Sequence, residues 1–397
     1  MASLLLAFGI FFAISCSTLE QSGSTEQPSQ LENLNEQINQ INEELYADPN
    51  NRKLKIQKAS LLNEFASNQP NPADRYPIYQ NLYSINQQNE DREISEITEI
   101  LVKAWETEQS SGIRLLQANR DSEDNHHVYN VLAHFDNAIV LQPDSLVTYS
   151  LMSTTFYENG SIRNAIETLE SALNRTPEAD PKFLEKLAYL YLEFGDTDES
   201  IKIYENLVSG SANDSHLIHG LTNAYMISRR HIDAITQLKL LTEQYPSRPY
   251  YKEALATQLY FYFSDKHGDL YHEFEAGETI DDQVDELLDL SNQAHQIYDS
   301  LRSTIPINEE SFFRMGTFYN NSMNKISTLR NDFNLSSERN ALLLSTIETY
   351  REISIDLWER LTEINPDNME YAYTLYNLYK NAGMNEEADS IERSYNF

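Results

Sequence analysis

The chain has 397 residues, enough for a large buried core, and only 11 Gly and 12 Pro, fewer breaks than an all-β fold usually needs. Its 29 Lys+Arg against 62 Asp+Glu give a net charge of −33, a field that repels nucleic-acid phosphates and anionic lipid headgroups. No basic stripe offsets that field, so nucleic-acid binding is not expected. The acidity fits either a solvated surface or an attraction for cationic partners, and composition does not separate the two.

Leu4 to Ile14 form an apolar run interrupted only by Gly9. It is shorter than the roughly 20 residues that span a bilayer but has the length of a signal-peptide core. The run ends in Ala13-Ile14-Ser15-Cys16, which resembles a bacterial lipobox. The resemblance implies that the signal is cleaved before Cys16 and that Cys16 carries the lipid. Cys16 is the single cysteine of the chain, so it has no internal disulfide partner. An ordinary secretory signal with an incidental cysteine is the alternative. The segment after it, Ser17 to Gln30, is small and polar and reads as a flexible tether.

The next hundred residues read as amphipathic helices at Asn33–Tyr46, Leu54–Phe65, Tyr76–Ile85 and Ile94–Trp105. Pro49 closes the first, and Ala59 stands where two helices approach closely.

From about residue 128 the sequence repeats. Ala138 and Ala172 are 34 apart, as are Pro143 and Pro177, and Ser200 and Ala234. One unit contains Tyr149-x2-Met152-Ser153-x2-Phe156, Gly160 and Ala165-x3-Leu169-x2-Ala172. The next contains Leu184-x2-Leu187-Ala188-x2-Tyr191, Gly195 and Ser200-x3-Tyr204-x2-Leu207. A third contains Ile218-x2-Leu221-Thr222-x2-Tyr225, Ala234-x3-Leu238-x2-Leu241 and Pro246. The small residues belong where antiparallel helices touch, and the large ones fill the groove around them. This pattern resembles the tetratricopeptide repeat, which implies an all-α superhelix of helix pairs, an α-solenoid. Beyond it the period stretches: Pro246, Pro306 and Pro366 are 60 apart, as are Ala256 and Gly316, and Tyr298 and Trp358. Two enlarged units with lengthened helices are expected there.

The expected organisation is therefore a signal peptide over 1–15, a tether over 16–31, degenerate helix pairs over 32–127 and tetratricopeptide-like repeats over 128–246. Two enlarged 60-residue units over 247–366 and a half-degenerate repeat with a polar cap over 367–397 complete it.

No nucleotide loop, nucleophile elbow or paired-cysteine ligand set occurs, so neither a cofactor nor catalysis is expected. His267, Asp269, His272, Glu273 and Glu275 carry metal-binding chemistry, but the five-residue step between the histidines does not put them on one helical face. No metal site is assigned. By resemblance, ligands dock on the concave face lined by the first helix of each pair. The residues at such positions here include Tyr157, Tyr189, His216, His219, Asn223, Tyr250, Phe313 and Asn377. Aromatic faces combined with amides suit peptides or glycans. The Lys-and-Asn clamp that some such repeats use for C-terminal carboxylates is missing, since Tyr or Glu mostly stands in for its Lys. The expectation is a lipid-anchored scaffold of the bacterial envelope, more at the outer than the inner membrane and facing the periplasm or the cell surface. It would bind a protein partner through its groove and touch the membrane only through its lipid. A solute- or glycan-binding lipoprotein serving an outer-membrane transporter is the alternative.

Overall fold

The structure, a computed structural model, describes residues 29–87, 94–120, 128–211, 214–304 and 308–396. The apolar run, Cys16 and nearly all of the tether lie outside them, as does Pro306. Among the described residues there are 17 α-helices and no β-strand, and no helix is long and apolar enough to cross a membrane. The chain divides into two units, Met1–Ser161 with Ser171–Thr176, and Ile162–Glu170 with Pro177–Phe397.

The N-terminal unit holds α1 (Gln30–Ala47), α2 (Arg52–Ser67), a 3-10 turn (Pro72–Arg75), α3 (Tyr76–Gln87), α4 (Ser95–Arg120), α5 (Val128–Leu141) and α6 (Leu146–Glu158). The helix α1 begins three residues before the expected Asn33 because Ser29 and Glu32 form a reciprocal capping box: each side chain accepts from the other's backbone N–H. The larger surprise is α4, which the sequence pattern ends near Trp105. It runs on through the helix-poor Ser110-Ser111-Gly112 because Gly112 lets the Phe135 ring of α5 lie against its backbone. A Cβ there would stand 2.7 Å from Phe135 Cε1. Close packing outweighs the roughly 1 kcal/mol that a mid-helix glycine costs.

A buried charge network anchors this unit. Glu108 of α4 is 0% exposed and accepts from Arg75 Nη1 (3.0 Å), Tyr79 Oη (3.0 Å) and the ring of His134. Asn137 Nδ2 donates to the Pro72 carbonyl at 2.8 Å and, more weakly, to Glu108 at 3.4 Å. Burial pushes the Glu108 carboxyl up, but His134 and Arg75 together outweigh it and hold the group below its ordinary value.

The helix α7 (Ile162–Arg175) contributes its first part to the C-terminal unit. There follow α8 (Pro181–Phe194), α9 (Thr197–Gly210), α10 (Ser215–Ile227), α11 (His231–Gln244), α12 (Pro249–Glu273), α13 (Asp281–Thr304), α14 (Glu309–Asp332), α15 (Ser337–Ile364), α16 (Met369–Ala382) and α17 (Asn385–Tyr395). Consecutive helices pack as hairpins: α8 on α9, α10 on α11, α12 on α13, α14 on α15, α16 on α17. First helices also touch, α8 with α10 and α12 with α14. The short turn Gly195-Asp196 is possible because Gly195 adopts φ +95°, and Gly383 does the same at φ +76° before α17.

Both series of small residues are buried where the repeat pattern puts them. Ser153, Ala188 and Ala256 in first helices, and Ala165, Ser200, Ala234, Ala294, Ser354 and Ala388 in second helices, are all 0% exposed, whereas in α16 the half-buried Tyr376 takes the first-helix position. The hydroxyls of Ser153, Ser200 and Ser354 have no hydrogen-bond partner among the described residues, so these serines stand there for their volume. This is an all-α chain of tetratricopeptide-like helix pairs.

A second recurrence ties each pair to the one before. Tyr191, Tyr225 and Tyr379, each the aromatic residue that ends the first-helix pattern, donate their phenol protons to Glu170, Glu205 and Glu359 of the preceding second helix. Burial, then the hydrogen-bonded carboxylate, pushes each phenol upward, so the donors stay protonated.

The helices lengthen after α11, from the 13 and 14 residues of α10 and α11 to 25, 24, 24 and 28 in α12 to α15. An aromatic core lies among them, in which the Phe318 ring is 5.1, 4.9 and 5.8 Å from those of Tyr298, Tyr319 and Tyr350.

Candidate partner-binding groove

Four of the sequence-selected residues meet in one groove of the C-terminal unit. Tyr189 of α8 and His216, His219 and Asn223 of α10 line an open concavity of about 440 Å³. The two helices present them for a simple reason. His216, His219 and Asn223 recur at steps of three and four and so share one helical face, while α10's opposite face carries the buried Leu217, Leu221 and Ala224. Tyr189 is 40% exposed, and the two imidazoles are exposed.

The floor was not legible in the sequence. Gly220 of α10 faces the Tyr204 ring of α9, and a Cβ at 220 would meet Tyr204 Cζ at 2.6 Å and Oη at 2.8 Å. Tyr204 therefore fills the space under α10 only because residue 220 has no side chain. Burial, then the charge of Glu185, pushes its phenol up to about 12, so it remains a proton donor under the groove. Glu185 and Glu193 of α8 add carboxylates to the walls, and Leu192, Met226 and Ile227 add apolar surface. The groove thus offers an aromatic face, two imidazoles, an amide and two carboxylates around an apolar strip.

The other selected residues lie elsewhere. Tyr250, at the start of α12, is 44% exposed but does not line the groove; its ring rests on Tyr251 at 4.1 Å and its hydroxyl accepts from Arg248 at 3.2 Å. The side chain that reaches His219 is the buried Tyr251, edge-on at 6.3 Å. Phe313 is half-buried and packs against Trp358 and Tyr371, with ring centres 5.8 and 5.9 Å away. Asn377 is half-buried on α16, and Tyr157 is half-buried on α6 in the N-terminal unit. Cys16 lies outside the described residues.

His267, the centre of the conceivable metal set, is packed instead. Its Nε2 lies 3.1 Å from the Lys325 carbonyl oxygen, so that nitrogen carries the proton and donates it. Burial first, then Lys325, lowers the ring to about 4 and keeps it neutral. Among the described residues no group of three His, Cys, Asp or Glu side chains is placed to hold a metal ion.

No family model matches the sequence, and no curated protein matches it. Several solved structures resemble the chain. PilF of Pseudomonas aeruginosa is 12% identical over 69% of this chain and 97% of its own length, with a TM-score of 0.40. A tetratricopeptide repeat protein from Parabacteroides merdae is 13% identical over 70% of this chain and 98% of its own, with a TM-score of 0.41. YrrB, a tetratricopeptide protein described as having an unusual peptide-binding site, is 14% identical over 50% and 93%, with a TM-score of 0.35. All three superpose loosely, and the fold rests on the helix order and small-residue spacing of the chain itself.

Proposed function

We propose that the chain is a non-enzymatic interaction scaffold of the bacterial envelope, anchored through a lipid on Cys16, that holds a protein partner in the groove between α8 and α10. The observation that carries the reading is the convergence of Tyr189, His216, His219 and Asn223 on one concavity of about 440 Å³. A helix face committed to packing would be aliphatic; this one presents exposed hydrogen-bonding and aromatic groups, the composition of an interface anchor. With Glu185 and Glu193 at hand, the fitting partner segment combines apolar side chains with Lys, Arg or backbone N–H donors.

The chain coupled to beads and exposed to detergent-solubilised membranes tests the choice of ligand. Retention of one protein in stoichiometric amount supports the scaffold. Retention of the chain on a glycan resin, with no protein retained, supports the solute-binding alternative instead.

Anchoring is tested separately. Metabolic labelling with a palmitate analogue should mark the wild type, while Cys16→Ser should be unlabelled and released from membranes. Equal labelling of the two removes the lipid from the account.

A further inference from the structure

The N-terminal unit carries a second concavity that the repeat pattern does not point to. About 460 Å³ in size, it lies between the 3-10 turn, the start of α3 and one face of α5, and is lined by Tyr76, Pro77, Tyr129, Leu132, Asp136 and Asn137 among others. That volume is within the range of small-molecule sites.

Two acceptors among its lining groups have no donor. Asp136 is half-buried and has no hydrogen-bond or ion-pair partner among the described residues. Burial alone pushes its carboxyl upward, and among the described residues no neighbouring cation offsets that. Asn137 is 0% exposed, and its orientation is fixed from below. Its Nδ2 must face the Pro72 carbonyl and the Glu108 carboxylate, both acceptors, which leaves Oδ1 buried without a donor. The same concavity is lined by two phenol rings, Tyr76 at 38% and Tyr129 at 67% exposure. An unpaired half-buried carboxylate and an orphaned amide oxygen in one concavity with two exposed aromatic rings are complementary to a charged donor on a short apolar stem. The chain's net charge of −33 draws such ligands in and repels anions.

We infer that this pocket binds a small organic cation, an alkylammonium or guanidinium group, with Asp136 as its counter-ion and Tyr76 and Tyr129 as its walls. The site is independent of the α8–α10 groove and of the partner proposed for it. The group arrives either as a free amine or as the tip of a Lys or Arg side chain.

Calorimetric titration of the full chain in detergent with n-pentylammonium, with Nα-acetyl-lysine amide and with 1-pentanol tests it. Both cations should bind and the neutral isostere should not. Comparable affinity for the two cations marks a free amine as sufficient; tighter binding of the amide marks a side chain as the source. Asp136→Asn should weaken n-pentylammonium by about tenfold, the loss of one charge-assisted hydrogen bond. Tyr129→Ala, at a site too exposed to affect folding, should weaken it by about two- to fivefold. Asp74→Asn removes the same charge from an exposed neighbour outside the pocket and should change little. Binding of 1-pentanol as tight as the cations, equal losses in the two Asp variants, or no cation binding at all would each overturn the inference.

Discussion

Replacing Glu108 by Ala is expected to destabilise the N-terminal unit by about 3–5 kcal/mol, the cost of breaking a buried ion pair from one side. Arg75 and His134 would be left without their carboxylate, and the Tyr79 hydroxyl without its acceptor. Glu108→Gln keeps the shape and one acceptor oxygen, so it should cost less, and the order Ala worse than Gln worse than wild type is part of the prediction. The network also sets an acid limit. Because the folded carboxyl is held below its ordinary value of 4.5, its contribution is fully present above that pH and fades as pH falls through the lower folded value. Urea titrations at neutral pH and near pH 3 check both statements. A Glu108→Ala variant as stable as wild type at neutral pH would mean that the network does not hold this unit together.

Gly220→Ala is the second large effect, and there the sign is the test. Helix propensity alone favours Ala over Gly by about 1 kcal/mol in mid-helix. The new methyl, however, would overlap the Tyr204 ring, which is 4% exposed and packed in the core beneath α10. Overpacking of this kind costs about 1–3 kcal/mol, so a net loss is expected, together with a displaced groove floor and weaker partner binding. A stabilised variant would show that Tyr204 swings aside freely and that Gly220 does not shape the groove.

The contrast between these residues explains what was legible beforehand. Ala188, Ala234 and Ser354 are visible in the sequence because their sizes recur at fixed spacing, and close packing of helix pairs requires that recurrence. The face carrying His216, His219 and Asn223 was legible for the same reason, since three- and four-residue steps define a helical stripe. Tyr250 shows the limit: one position along a helix is a rotation of about 100°, and it is Tyr251 that points at His219. Glu108 was out of reach for another reason. Its partners lie 33, 29 and 26 residues away in a stretch with no repeat register, so nothing in the local pattern announces them. The Asp136 pocket depends on the same long-range packing of the 3-10 turn against α5.

Docking of the partner in the α8–α10 groove is tested by substitution there against a control outside it. Arg230, between α10 and α11, would be a poor control, because it pairs with Glu205 and Asp233 and stacks over Tyr225 at 4.6 Å. Lys202, with its side chain 73% exposed on α9, is the better one. The most direct measurement is the affinity of the captured partner for wild type, for His219→Ala combined with Tyr189→Ala, and for Lys202→Ala, each with its thermal midpoint. The groove variant should lose at least about tenfold, roughly 1.4 kcal/mol, with its midpoint nearly unchanged, while Lys202→Ala binds as wild type does. Undiminished affinity in a folded groove variant would contradict the account and place the partner on another surface.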